Sequence, residues 1–122
     1  MRKLILLICC FFAVFNSSKA QVVLYGTTNN SISKFDGSSN SLNAVHNFQT
    51  DGAYPQRSEL LQANNGKFYG MTSQGGSSGY GVVFSFDPST NSYTIVKNLT
   101  YSTTGGYPQG SLIQASNGSF ME

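Results

Sequence analysis

The sequence predicts an all-β protein built from short antiparallel strands. Gly, Ser, Thr and Asn are abundant, aromatic residues make up 13% of the chain and charged residues only 10%. Beyond residue 20, apolar and polar residues alternate over short segments, and clusters of turn-forming residues separate these segments. No stretch of this part shows the periodicity of an amphipathic helix. These observations together favour strands joined by tight turns.

The central segment predicts four strands and their turns. Asn64–Gly66 and Asp87–Asn91 have turn composition, because Asp bonds the backbone two residues on and Pro presets its own φ. The predicted strands lie between these turns and a glycine-rich loop from Gly75 to Gly81. They are Leu60–Ala63, Lys67–Thr72, Val82–Asp87 and Ser92–Leu99.

Several short blocks of sequence recur in the same order along the chain. Such matching predicts a repeat of one supersecondary unit. The matches are Tyr54-Pro55-Gln56 with Tyr107-Pro108-Gln109, Leu60-Leu61-Gln62-Ala63 with Leu112-Ile113-Gln114-Ala115, Asn65-Gly66-Lys67-Phe68 with Asn117-Gly118-Ser119-Phe120, Tyr25-Gly26-Thr27-Thr28 with Tyr69-Gly70-Met71-Thr72, and Ile32–Asp36 with Val83–Asp87.

Four antiparallel strands followed by a Gly- and Pro-containing connection are typical of a β-propeller blade. The order of the blocks divides the chain into a partial first repeat (21–52, the second to fourth strands), a complete blade (53–105) and the truncated start of another (106–122). The prediction is therefore an incomplete propeller of roughly two blades, whereas a closed ring takes about four to eight. Its open edge strands invite self-association.

The repeated segment resembles the tandem GloVer repeats of secreted bacterial proteins. The matching positions are Asp51-Gly52, Pro55, Leu61, Ala63, Gly66, Tyr69-Gly70, Thr72, Gly75-Gly76, Gly81 and Val83-Phe84. The turn at Asp87–Asn91 is similar to that of kelch-type blades. The resemblance implies a propeller-like fold and export. The first copy lacks the Gly-Gly loop, and Phe120 is not followed by Tyr-Gly, so we expect a truncated copy of a longer repeat protein.

Residues 1–20 have the layout of a secretory signal peptide, with Arg2 and Lys3 before the apolar run Leu4–Phe15. Twelve apolar residues are too few for a transmembrane helix, which needs about 20. Cleavage is expected between Ala20 and Gln21, which predicts a secreted protein, extracellular or at the cell surface, with no membrane span in its mature part.

Removal of this segment would leave no cysteine, and therefore no disulfide or thiolate metal site. Four basic and five acidic residues would remain, a net charge of −1, so no basic patch for nucleic acid is expected.

No catalytic, cofactor or metal site is predicted. His46 is the only histidine and lies in a predicted strand without a supporting motif. Asp36 and Asp87 occupy matching turn positions, which indicates a structural role. Their loops offer oxygen ligands, but they lack the spacing of a calcium-binding loop. Glu59 has no counterpart in the later copy, and one carboxylate alone makes no hydrolytic pair.

Tyr54 and Tyr107 are the candidate ligand-binding residues, because each lies in a connection between repeats, where proteins commonly place binding residues. Packing beneath the loop remains the default expectation for both. The sequence thus predicts an exported binding or scaffold module, not an enzyme, with a protein or glycan ligand. A fragment of a propeller enzyme acting on polysaccharide and a structural adhesion or surface protein are the alternatives.

Overall fold

The structure, a computed structural model, describes residues 22–28, 30–49, 51–55 and 58–121. The predicted signal peptide and its cleavage site at Ala20 and Gln21 lie outside these residues. The described part contains no α-helix, and therefore no helix that could cross a membrane. Its strands are β1 (Val23–Thr27), β2 (Ser31–Asp36), β3 (Ser41–Asn47), β4 (Leu61–Gln62), β5 (Phe68–Thr72), β6 (Val82–Asp87), β7 (Ser92–Asn98), β8 (Ile113–Gln114) and β9 (Phe120–Met121).

The strands form three antiparallel sheets in chain order. The first sheet is β1-β2-β3, the second is β4-β5-β6-β7 and the third is β8-β9. The all-β, antiparallel prediction is confirmed, and the four central strands are found at the predicted places. β4 is shorter than predicted, and beyond it the amide of Ala63 donates to the carbonyl of Lys67 at 2.9 Å, which closes the turn to β5.

The hairpins β2–β3 and β6–β7 use the same turn chemistry. Oδ1 of Asp36 accepts hydrogen bonds from the amide and hydroxyl of Ser38, at 2.9 and 2.6 Å. Asp87 accepts the same pair from Ser89, at 2.9 and 2.5 Å. Both turns end on an asparagine in the left-handed region, Asn40 (φ 53°) and Asn91 (φ 55°), which asparagine tolerates better than most residues. The predicted turn role of Asp36 and Asp87 is confirmed.

The core lies between the first and second sheets. Ile32 belongs to β2, and Phe48 directly follows β3. The second sheet contributes Val82, Phe84 and Phe86 of β6, and all five side chains are fully buried. The rings of Phe48 and Phe84 are 5.3 Å apart. Each such side chain contributes about 1.5–3 kcal/mol on burial, so this interface fixes the two sheets face to face.

One aromatic side chain of the first sheet lies outside this core. Phe35 pairs with Leu24 and Leu42 on neighbouring strands and is only partly buried. Its neighbour Lys34 pairs with Tyr25, whose ring packs on the second sheet. Because side chains alternate along a strand, Phe35 points to the opposite face of the first sheet.

The third sheet packs against the second. The rings of Tyr69 and Phe120 are 4.4 Å apart. Two hydrogen bonds join the same regions, from the amide of Glu59 to Oγ of Ser111 (2.9 Å) and from the amide of Asn64 to Oε1 of Gln114 (3.1 Å). The successive sheets are therefore stacked on one another along the chain.

Candidate binding surface

The two predicted ligand-binding residues share an unusual backbone conformation. Tyr54 and Tyr107 have φ values of 55° and 56°, in the left-handed region that bulky residues seldom occupy. Both residues are about half exposed, at 47% and 46%. Such backbone strain persists only where the surrounding structure holds it, and it is concentrated at functional sites.

Hydrogen bonds hold Tyr107 in this conformation. Its amide donates to the carbonyl of Tyr80 at 3.0 Å, and its carbonyl accepts from Nε2 of Gln109 at 3.0 Å. The matching carbonyl of Tyr54 accepts longer bonds from the amide and hydroxyl of Ser73, at 3.5 and 3.4 Å. Among the hydrogen bonds of the described residues, those of Tyr107 are therefore the shorter.

Tyr107 belongs to a group of three rings, the tyrosine cluster, which also contains Tyr80 and Tyr101. The ring of Tyr80 lies 5.3 Å from that of Tyr107, nearly perpendicular to it, and 6.0 Å from that of Tyr101. Gly106 allows this approach, because a Cβ at that position would lie 3.0 Å from the Tyr80 side chain. Tyr101 is 73% exposed, so the cluster presents aromatic surface to solvent.

A cleft of about 340 Å³ adjoins the cluster. Its base is formed by Met71 and Leu99, both buried. Its wall is the connection that follows the second sheet, from Thr104 to Gly110, with Tyr107 in it. None of the lining residues is charged. Backbone groups, the hydroxyls of Thr104 and Tyr107 and the carboxamide of Gln109 therefore supply the polarity of the cleft.

Sequence reasoning found one member of this surface and missed the others. The sequence predicts Tyr107 because it lies in a connection, and the structure places it in the wall of the cleft. Tyr54 does not line that cleft. The sequence does not single out Tyr80 and Tyr101, and their only signal is that both are aromatic residues in predicted loops. That they meet Tyr107 follows only from the packing of two separate loops.

His46 is placed as a structural residue of β3. Its ring stacks on that of Tyr93, with the centroids 3.9 Å apart and the planes inclined by 6°. Nε2 lies 3.1 Å from Oδ2 of Asp51, an ion-pair separation, yet it makes no hydrogen bond of good geometry. The hydroxyl of Tyr93 donates to the carbonyl of Asp51 at 3.2 Å. These three residues connect the first sheet, the connection that follows it and β7.

The described residues contain no group of three or more His, Cys, Asp or Glu side chains that could hold a metal ion. In the two Asp-containing turns, the carboxylates accept hydrogen bonds from their own loops. Hydrogen bonds from Ser89 hold the pKa of the partly buried Asp87 below its usual value. This carboxylate is therefore used in closing its turn.

No protein-family model matches this chain, and neither a curated protein nor a solved structure matches it. Its function is therefore argued from its own residues.

Proposed function

We propose that this chain belongs to an exported β-propeller-type repeat protein and binds an uncharged glycan through the tyrosine cluster, without catalysing a reaction. The observation that carries the proposal is the exposed aromatic surface beside an uncharged cleft. Tyrosine rings can stack on the apolar face of a sugar ring, and their hydroxyls can bond to sugar hydroxyls.

The cleft has the composition that such a ligand needs. Binding sites combine apolar surface with a few polar groups that orient the ligand. Here Met71 and Leu99 supply the apolar base, while Thr104 and the backbone of the 104–110 connection supply donors and acceptors. The absence of charge from the lining favours a neutral sugar over an anionic one, which would leave its charge without a partner.

The propeller proposal is supported by correspondences between the sheets. The hairpins β2–β3 and β6–β7 share their turn bonds and also a register shift, between Ile32 and Ser33 and between Val83 and Phe84. A tyrosine of one sheet contacts a phenylalanine of the next in both interfaces, as Tyr25 with Phe68 at 5.0 Å and Tyr69 with Phe120 at 4.4 Å. Stacked, similarly built sheets are the arrangement of propeller blades.

Export follows from the predicted signal peptide, and its test is direct. We expect the protein recovered outside the cytoplasm to begin at Gln21, which intact-mass measurement of the secreted product would show. A product that keeps residues 1–20 would contradict this part of the proposal.

The binding proposal is tested with a panel of neutral oligosaccharides, using isothermal titration calorimetry and NMR shift mapping. We expect a ligand that shifts the signals of the cleft, and Tyr101→Ala and Tyr107→Ala to weaken its binding by about tenfold, since losing one stacked aromatic contact costs roughly 1 kcal/mol or more.

Tyr54→Ala is the matched control, because Tyr54 has the same backbone conformation and exposure but lies outside the cleft. It should leave the affinity unchanged. The proposal fails if no neutral glycan binds, or if all three variants bind equally well. Release of new reducing ends from a bound polysaccharide would contradict the absence of catalysis.

A further inference from the structure

Three apolar side chains form a continuous row on the first sheet. Leu24, Phe35 and Leu42 are direct neighbours across β1, β2 and β3, and directly paired residues lie on the same face of a sheet. This outer row points away from the second sheet. Leu24 is 58% exposed and Leu42 is 66% exposed, so the row presents apolar surface that the described residues leave largely uncovered.

The second sheet has a matching row, which is covered. Phe68, Phe86 and Tyr93 are direct neighbours across β5, β6 and β7. Tyr25 packs on Phe68 and Phe86, at 5.0 and 5.8 Å between ring centroids. His46 packs on Tyr93. The second sheet therefore packs on the first sheet through this row, and the outer row occupies the equivalent position on the first sheet.

The complementary surface is also present in the molecule. The other face of the second sheet lines a cleft of about 490 Å³, to which Tyr69, Val83, Val96, Lys97 and Leu99 contribute. Among the described residues, Phe120 of β9, Leu112 just before β8, and Thr103 and Thr104 of the connection complete its lining, and β8 and β9 have only two residues each. Phe120 of β9 contacts Tyr69, but Val96 stays more than half exposed. The face is covered at one side and open at the other.

We propose that the outer row of one copy of this chain docks into the cleft of a second copy. In this arrangement β1 of the incoming copy replaces β9 beside β8, so that Leu24 takes the place of Phe120 on Tyr69. Ile113 would then pair with Tyr25 of the incoming copy, as Leu61 pairs with Tyr69 within the second sheet. The result is a four-stranded sheet shared by two copies, and it covers the edge of β1 that no described strand pairs.

A second copy is the occupant because the molecule carries both halves of the contact and already forms this contact between its own sheets. The two halves are different surfaces, so the association is head-to-tail and heterologous. It can continue from copy to copy into a closed ring or a filament. This association does not depend on the glycan proposal.

One pair of residues makes the arrangement specific. Leu42 and Tyr93 are the second residues of β3 and β7, and His46 and Lys97 are the sixth residues of the same two strands. Within one copy, His46 of the first sheet stacks on Tyr93 of the second. Docking therefore brings Leu42 of one copy beside Lys97 of the next. Lys97 is exposed and lines the cleft. A charge introduced at position 42 would therefore repel or attract this lysine, according to its sign.

The test is sedimentation velocity, over a wide range of concentrations, on protein purified from cells that express the full 122-residue sequence. We expect concentration-dependent association. Leu42→Lys should weaken it by at least about tenfold, because it places two like charges together. Adding Lys97→Asp to that variant should restore it. Tyr101→Lys introduces the same charge outside both faces and should leave association unchanged.

Far-ultraviolet circular dichroism checks that each variant is folded, which we expect because all the altered side chains are exposed. The proposal is overturned if the unchanged chain is monomeric at every concentration. It is also overturned if Leu42→Lys associates like the unchanged chain, or if the double variant is no better than Leu42→Lys. Because Tyr101 is outside these faces, loss of glycan binding and loss of association are separate results.

Discussion

The imidazole ring of His46 stacks on the phenol ring of Tyr93, with 3.9 Å between the ring centroids. This contact joins the first and second sheets at the edge of their shared core, where Phe48 meets both rings edge-on. We expect a double-mutant cycle of His46→Ala and Tyr93→Ala, measured by urea unfolding, to give a coupling energy of about 0.5–1.5 kcal/mol.

His46→Phe separates the stack from the polar contact with Asp51. It keeps an aromatic ring on Tyr93, so it should lose no more than about 1 kcal/mol, which is the usual upper value for a partly exposed polar contact of this kind. If His46→Phe is as destabilising as His46→Ala, the stack is not the stabilising contact.

We expect the protein to lose stability at alkaline pH because Tyr93 is partly buried. Burial, with a smaller contribution from the charge of Asp51, raises the pKa of Tyr93 above its ordinary value of 10.0. The neutral phenol is therefore favoured in the folded state, and its contribution to stability is complete below pH 10. As pH rises above 10, the unfolded chain ionises first and this contribution is lost.

The measurement is urea unfolding across the alkaline range for the natural chain and for Tyr93→Phe. The natural chain should lose stability more steeply, since the variant has no phenol to ionise at this position. The other tyrosines are common to both proteins and cancel in the comparison. Parallel curves would contradict the assignment.

We expect Asp87 to give the opposite pH dependence, a loss of stability at acid pH. Hydrogen bonds from the hydroxyl and then the amide of Ser89 are the main causes that lower the pKa of Asp87 below 3.8. The contribution of this carboxylate is therefore complete above that value and is lost as pH falls through the lowered pKa.

Ser89→Ala removes the hydroxyl donor and should raise the pKa of Asp87, as followed by an NMR titration of its carboxyl carbon. Thr90→Ala is the control, because Thr90 acts on Asp87 through its backbone amide, which the substitution keeps. An equal rise in both variants would exclude the Ser89 hydroxyl as the cause.

We expect the substitution of glycine by alanine to lower the free energy of unfolding more at Gly81 than at Gly79, although both lie in one loop. Both have positive φ, at 100° and 77°, but a Cβ at Gly81 would lie 2.1 Å from the carbonyl oxygen of Thr72, whereas one at Gly79 would meet nothing within 4 Å. Gly79→Ala should cost about 1–2 kcal/mol from its conformation alone. Gly81→Ala should cost about 3 kcal/mol or more, since backbone must move. Equal losses in chemical unfolding would contradict the close approach.

Part of the candidate site was predictable from sequence. A tyrosine beside proline in a connection indicated Tyr54 and Tyr107 equally, because the two local sequences are the same. The structure separates them: Tyr107 meets Tyr80 across a loop and lines a cleft, and Tyr54 does not line it. A local pattern carries no information about which distant loop lies beside it.

The sequence by itself determined the strands and their turns, because these depend on neighbouring residues. Asp87 bonds Ser89 two positions on, Asn91 accepts a left-handed backbone, and alternation assigns side chains to opposite faces. Only the tertiary structure decided which faces meet. Phe35 and Phe86 occupy matching motif positions, yet Phe86 is buried and Phe35 is partly exposed. The reason is that burial depends on whether another sheet lies against that face, and this is set by the packing of residues far apart in the chain.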